Sequence, residues 1–110
     1  MQKIVTMDGK RVKLGTHNDE CMYNGHENTG PCQNRWLEMY AHRLKSAGKL
    51  ADDAEPNPKD YVFYLAHYSQ WQGENSYIQE ITQEEAQEFC ADHWDDMDHA
   101  LNLLDESQFE

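Results

Sequence analysis

The chain has 110 residues, a formal net charge of −12 and a mean hydropathy of −1.00. This length predicts one domain over residues 1–110 with a single modest core, and three Trp, six Tyr and three Phe argue against disorder. No apolar run approaches the roughly 20 residues that span a bilayer, and residues 1–14 lack the continuous apolar segment of a signal peptide. We therefore expect a cytoplasmic protein, and the odd count of three cysteines fits a reducing compartment.

Charge is divided unevenly along the chain. Residues 1–59 hold all nine Lys and Arg side chains and eight of the acids, whereas residues 60–110 hold thirteen acids and no Lys or Arg. Segregation of this kind bears on partners and solubility more than on fold. The acidic half is not expected to bind DNA or RNA directly, because neutralisation of phosphates supplies most non-specific affinity for nucleic acid.

The first fourteen residues predict a β-hairpin. Asp8 and Gly9 suit a type I′ turn, in which both central residues take positive φ. Pairing across this turn separates a polar face from an apolar one. The apolar face, expected to pack on the core, consists of Val5, Met7, Val12 and Leu14.

The next two segments predict a loop and a helix. Residues 15–34 have no periodicity and are rich in Gly, Asn, His and Cys, which is typical of a loop. Residues 35–50 predict a helix that Gly48 could cap, because apolar side chains recur at helical spacing. A strand over residues 39–44 is the competing interpretation. The side chains that share the helical face are Trp36, Leu37, Tyr40, Leu44 and Ala47.

Two strands and a long helix follow. Residues 61–68 predict a strand that is apolar on both faces and therefore lies inside a sheet, and residues 76–81 predict its partner. Thr82 and Glu85 have capping-box spacing at the start of an amphipathic helix over residues 82–104. The order β-β-loop-α-β-β-α predicts an α+β domain with a small antiparallel sheet and helices packed on it. The apolar stripe of the last helix comprises Ala86, Cys90, His93, Met97, Leu101 and Leu104.

One stretch resembles a group of known proteins. A strand, a short turn and a strand running into residues 81–86 (ITQEEA) are similar to the C-terminal part of small, mostly uncharacterised proteins carried by phages and mobile elements. The resemblance covers residues 61–92 and names no activity. It implies a mobile-element setting.

A cluster of potential zinc ligands lies in the predicted loop. Thiolate and imidazole groups are the ligands that zinc prefers, although no pair here has the tight Cys-x-x-Cys spacing of a zinc knuckle. Cys90 and His93 could complete such a site only if the loop folds back on the last helix. The simpler interpretation is a polar loop with reduced cysteines and a buried Cys90. The loop ligands are His17, Cys21, His26 and Cys32.

Enzymatic and nucleic-acid-binding functions find little support. The chain lacks a nucleophile elbow, a phosphate-binding glycine loop and a His-Glu-x-x-His motif, so we expect no enzyme activity. Aromatic platforms for single strands also need a positively charged groove, which the acidic half cannot supply. We therefore expect the rings near the central hairpin to be core. They are Tyr64, Tyr68, Trp71 and Tyr77.

The sequence favours a non-enzymatic inhibitor or modulator that presents carboxylates in place of phosphates to a basic nucleic-acid-binding protein. A mobile-element setting would make the target a host defence nuclease, as for anti-CRISPR or anti-restriction proteins. The alternative is a small metal-stabilised module for structural or regulatory protein–protein contact, in which metal binding is coupled to folding. The candidate partner-binding residues are Glu84, Glu85, Glu88, Asp92, Asp95, Asp96 and Asp98.

Overall fold

A computed structural model describes residues 1–25, 35–71 and 73–104, and within them the chain forms six strands and one α-helix. The elements are β1 (Lys3–Met7), β2 (Lys10–Leu14), β3 (Glu20–Asn24), β4 (Arg35–Arg43), β5 (Tyr61–Ser69), β6 (Tyr77–Ile81) and α1 (Gln83–Asp92). β1 and β2 form a two-stranded sheet, and the other strands form an antiparallel sheet in the order β3-β4-β5-β6. The α+β class is confirmed, but the predicted element order is only partly right.

The N-terminal hairpin has the predicted register. Val5 pairs with Val12 and Met7 with Lys10, and the turn residues Asp8 and Gly9 have φ values of 50° and 76°. Positive φ at both positions is what the type I′ turn requires, and it matches the right-handed twist of the strands. The predicted inner face packs on the larger sheet, because Val5, Val12 and Leu14 are buried.

The helix predicted over residues 35–50 is wrong. The chain there forms β4, which pairs with β5 over its whole length, and a single 3₁₀ turn at Lys45–Ala47 follows. The competing interpretation, a strand over residues 39–44, agrees with the C-terminal part of β4. The helical spacing gave the wrong prediction because β4 lies between two strands and carries apolar side chains on both faces. Such a strand shows no simple alternation of apolar and polar residues.

The segment predicted as a loop, residues 15–34, contains β3. This short edge strand pairs with β4, and its register shifts between Cys21 and Tyr23, so that Met22 forms a bulge. The Met22 carbonyl accepts hydrogen bonds from the backbone of Asp98 at 2.8 Å and of His99 at 3.4 Å. The bulge therefore joins the C-terminal segment to the edge of the sheet.

β5 is an interior strand, as predicted, with both faces covered. On one face, Phe63 lies in a core that includes Met39, Ala86 and Cys90 and is closed by α1. On the other face, Val62, Tyr64 and Ile78 pack against the hairpin. The result is a three-layer arrangement in which α1 and the hairpin lie on opposite faces of the sheet. A 3₁₀ turn at Pro58–Asp60 leads into β5.

The last helix is shorter than predicted. The capping box of Thr82 and Glu85 is present, but α1 ends at Asp92 and is followed by a 3₁₀ turn at Trp94–Asp96. Acids at the C-terminal end of a helix oppose its dipole, and Asp is a poor helix former, so continuation of the helix is unfavourable here. Among the described residues, no helix is long and apolar enough to cross a membrane. Apolar side chains beyond α1 still pack on the core from this irregular segment, namely Met97, Leu101, Leu103 and Leu104.

Candidate functional site

Seven carboxylates follow one another from α1 into the segment beyond it. α1 carries the first four, the 3₁₀ turn carries two and the last one follows the turn. All seven residues are exposed, as expected for the outer face of an amphipathic element. We call this group the acidic surface: Glu84, Glu85, Glu88, Asp92, Asp95, Asp96 and Asp98.

The acidic surface is not neutralised within the described part of the chain. The ion pairs found there join acids and bases elsewhere in the molecule. Glu85 has an additional structural task, because its Oε1 accepts a hydrogen bond from the Thr82 amide at 3.1 Å and completes the capping box. The other carboxylates of α1 are free to face a partner.

Opposite charge lies on the other side of the molecule. Lys3, Lys10, Arg11 and Lys13 are exposed on the hairpin, where Asp8 is the accompanying acid. Because the hairpin and α1 cover opposite faces of the sheet, the basic residues stand away from the acidic surface. Lys3 reaches the edge of β6, where its Nζ donates to the Ile78 carbonyl, but in the described residues no base forms an ion pair with the acidic surface.

A groove of about 220 Å³ runs between α1 and β6. Its rim is polar and includes Glu85, Glu88 and Asp92, and its floor is apolar. Three of the four carboxylates of α1 thus border a groove beside β6. The apolar floor consists of Leu65, Ile81 and Phe89.

A second polar cluster, which the sequence did not reveal, centres on Asp19. The side chain of Asp19 is 1% exposed, and its carboxylate accepts from the Gly15 amide at 2.9 Å, the Thr16 hydroxyl at 2.7 Å and the Tyr64 hydroxyl. His42 Nδ1 lies 2.7 Å from the same carboxylate. Burial by itself raises the pKa of Asp19, but hydrogen bonds from Tyr64, His42 and Thr16 outweigh it and hold the pKa below its ordinary value.

The Asp19 cluster joins three parts of the fold. Gly15 ends the hairpin, Tyr64 belongs to β5 and His42 to β4. Gly15 has a φ of 84°, and a Cβ there would collide with the backbone of Met1 and the side chain of Ile78. We interpret the cluster as the attachment of the hairpin layer to the sheet. Since its members come from separate segments, no local motif could have identified it.

The structure leaves the zinc hypothesis without support in the described residues. His17 is exposed, and the Cys21 thiol lies 3.6 Å from the Tyr23 carbonyl, to which it donates a weak hydrogen bond. Across residues 1–25, 35–71 and 73–104, no three His, Cys, Asp or Glu side chains are grouped as metal ligands would be. His26 and Cys32 lie outside the described residues, so the four-ligand set stays a prediction.

Cys90 and His93, the other two candidate ligands, are engaged in the core. Cys90 is fully buried, and burial raises the pKa of its thiol to about 11. The His93 ring stacks on Phe89 with centroids 4.1 Å apart, and it also contacts Tyr23. The predicted role of Cys90 as a small buried hydrophobe agrees with this packing.

The prediction that all four rings near the central hairpin are core is wrong for two of them. Tyr64 is buried, but Trp71 is 52% exposed and Tyr77 is 55% exposed. Arg35 lies over the Trp71 ring at 6.0 Å, and it also forms an ion pair with Glu74. Because Glu74 already neutralises Arg35, these rings do not acquire the positive charge that a platform for single-stranded nucleic acid needs.

Comparison of the chain with protein-family models, with curated proteins and with solved structures finds no match.

Proposed function

We propose that this protein is an acidic, non-enzymatic inhibitor or modulator that occupies the nucleic-acid-binding surface of a basic protein. The observation that supports the proposal is the acidic surface, in which all seven carboxylates are exposed and none forms an ion pair within the described residues. Carboxylates repeated along an outer face offer a basic groove the charge that it otherwise finds in phosphates. The resemblance of residues 61–92 to mobile-element proteins adds a target class, a host defence nuclease, as for anti-CRISPR or anti-restriction proteins.

Charge repulsion gives a physical reason to expect such a partner. Side chains of like charge three or four residues apart on a helix destabilise it, and Glu84, Glu88 and Asp92 have this spacing. Excess charge of one sign also destabilises the compact state. A basic partner removes this repulsion in the complex. Electrostatic complementarity of this kind mainly accelerates association and selects the partner.

Reversal of two charges tests the proposal. We expect Glu88→Lys combined with Asp92→Lys to weaken partner binding strongly, because like charges brought together at an interface cost several kcal/mol. The fold should persist, since both residues are exposed and exposed substitutions usually change stability by about 0.5 kcal/mol or less. The native protein is first used to capture a basic nucleic-acid-binding protein from host lysate at low salt. The affinity of the native protein and of the variant for that partner is then measured, and the melting temperature of each is recorded.

A matched control separates local charge from net charge. Asp52→Lys combined with Asp53→Lys changes the net charge by the same amount at exposed positions outside the acidic surface. We expect this variant to keep most of its affinity, and we expect DNA to displace the partner from the native protein. The proposal would be contradicted if the two double variants lost the same amount of affinity. It would also be contradicted if the retained partner bound DNA and this protein at the same time.

A further inference from the structure

β6 is an edge strand of the four-stranded sheet. It pairs with β5 on one side, and in the described part of the chain no strand lies on its other side. An edge strand presents a row of backbone N–H and C=O groups that can pair with another extended chain. The hydrogen-bond pattern of the sheet determines which backbone groups of β6 point outward, and the charges nearby determine what kind of chain suits them.

Alternation along the ladder identifies the outward groups. The Leu44 amide donates to the Asp60 carbonyl at 2.9 Å, which extends the β4–β5 ladder through the even-numbered residues of β5. The odd-numbered residues of β5 therefore bond to β6, where their partners are also odd-numbered. The backbone groups of Ile78 and Glu80 must then point away from the sheet.

Two contacts agree with this assignment. Lys3 Nζ donates to the Ile78 carbonyl at 3.4 Å from the open side, and the amide of Thr82, the next even-numbered residue, bonds to the Glu85 side chain instead of to β5. Among the described residues, no other hydrogen bond reaches the outward groups of β6. The Ile78 amide and both backbone groups of Glu80 are thus available to a new strand.

The surroundings of this edge select a basic occupant. Glu85, Glu88 and Asp92 border the groove beside β6, so the side chains of an added strand on the helix side would meet three carboxylates. These carboxylates span about 10.5 Å along the helix axis, and same-side residues of a strand are about 6.8 Å apart. Two or three basic side chains at alternate positions, which span about 6.8 Å or 13.6 Å, bracket that length.

The opposite side of the added strand requires different chemistry. Side chains pointing there lie towards the hairpin, where Lys3 already places a positive charge at Ile78. Ile78 belongs to the core on that side, so apolar side chains suit the neighbouring positions of the added strand, although β6 also places the exposed Glu80 carboxylate there. A second copy of this chain does not fit, because pairing of β6 with its own copy would bring two rows of carboxylates together.

We propose that an extended segment of the partner, with basic and apolar residues in alternation, adds to β6 as the fifth strand of the sheet. This inference rests on the proposed function, since it names the part of the basic partner that the acidic surface receives. The backbone of β6 supplies the pairing groups, and the carboxylates of α1 supply the preference for Lys and Arg. Strand addition of this type obtains affinity from main-chain hydrogen bonds and specificity from alternate side chains.

A peptide titration tests strand addition directly. The probe is the blocked peptide Val-Lys-Val-Lys-Val-Lys-Val, and the control is Pro-Lys-Pro-Lys-Pro-Lys-Pro, which has the same charge but lacks the amide hydrogens on alternate residues. We expect the first peptide to bind, with downfield shifts and exchange protection of the Ile78 and Glu80 amides in NMR spectra. We expect the second to bind roughly tenfold more weakly, which corresponds to the loss of one or two hydrogen bonds.

Two variants of Glu80 distinguish the effect of backbone pairing from that of side-chain charge. Glu80→Pro removes an outward amide, a change that edge strands tolerate, whereas Glu80→Gln removes only the charge. We expect the proline variant to bind the first peptide roughly tenfold more weakly than the glutamine variant. Equal binding by the two variants, absence of peptide binding or shifts confined to other residues would overturn strand addition.

The outcomes also distinguish this inference from the proposed function. If Glu88→Lys with Asp92→Lys abolishes binding of the retained partner while Glu80→Pro leaves it unchanged, mimicry by the acidic surface stands and strand addition fails. If the charge reversal leaves peptide binding unchanged, the preference for a basic strand is refuted. Loss of partner binding in both the charge-reversal and the proline variants, with binding retained in Glu80→Gln, supports both.

Discussion

Among single residues, Asp19 stands out because its carboxylate accepts more hydrogen bonds than that of any other acid in the described structure. Its carboxylate is buried, it accepts hydrogen bonds from Gly15, Thr16 and Tyr64, and it lies beside His42. A buried carboxylate is costly unless hydrogen bonds stabilise it, and Asp19 accepts several. Burial raises the pKa of Tyr64, and its hydrogen bond to Asp19 raises it further, since loss of the Tyr64 proton would place two negative groups in contact. Asp19 is thus a structural acid, unlike the exposed carboxylates of α1.

Removal of this charge should destabilise the fold. We expect Asp19→Asn to lower the free energy of unfolding by about 3 kcal/mol, because the donors around it lose a charged acceptor. The effect should depend on pH. A folded-state pKa below the unfolded value means that the unfolded chain binds more protons, so the contribution is present above about pH 4 and is lost as pH falls through the folded pKa.

The measurement is denaturant unfolding of the native protein and Asp19→Asn between pH 7 and pH 3. The difference between them should shrink towards acid pH. Asp52→Asn, at an exposed position, is the control and should show little difference at any pH. A difference for Asp19→Asn that stays constant with pH would show that folding does not lower the pKa of this carboxyl.

At the scale of elements, both ends of α1 explain where the acidic surface lies. The capping box of Thr82 and Glu85 starts the helix directly after β6 and aligns its first turn with the edge of the sheet. Past Asp92, the backbone of Asp98 and His99 turns to bond the Met22 carbonyl at the bulge of β3. The acids of α1 are therefore presented beside β6, and Asp98 is held at the opposite edge of the sheet.

Loss of the cap should loosen the start of α1. We expect Thr82→Ala to reduce stability by about 1 kcal/mol, because the Glu85 amide loses its acceptor. Thr82→Ser keeps the hydroxyl and should cost only a few tenths of a kcal/mol. Chemical denaturation of the three proteins measures this, and equal losses for Ala and Ser would mean that the hydroxyl contributes nothing.

At the scale of the whole molecule, charge is arranged in two layers. The hairpin carries Lys3, Lys10, Arg11 and Lys13 on one side of the sheet, and α1 and its continuation carry the acidic surface on the other. Bases on the hairpin cannot relieve repulsion among the acids through the thickness of the sheet. The net charge of −12 therefore acts against the compact state in the absence of a partner.

Salt should stabilise the isolated protein. Raising sodium chloride from 0.01 M to 1 M shortens the Debye length from about 30 Å to about 3 Å and screens repulsion among exposed acids. We expect the melting temperature of the native protein to rise with salt, and to rise less for Glu88→Lys with Asp92→Lys. A melting temperature that falls with salt would mean that attractive pairs outweigh repulsion in the free protein.

Several features of the fold follow from short stretches of the sequence. The hairpin register follows from the turn chemistry of Asp8 and Gly9, and the start of α1 follows from the spacing of Thr82 and Glu85. The interior position of β5 could be predicted because strands with apolar residues on both faces are usually those packed on both sides. In each of these cases, residues close together in sequence carry the information.

The other elements depend on contacts between segments that are far apart along the chain. β4 is a strand because β3 and β5 bond to its two edges, and its own residues suited a helix equally well. The acids after Asp92 disfavour a longer helix, but the path of the chain beyond α1 is fixed by its bonds to a bulge more than seventy residues earlier. The Asp19 cluster and the open edge of β6 likewise arise where separate segments meet. Contacts of this kind leave no local pattern, since the partners that fix each residue are distant along the chain.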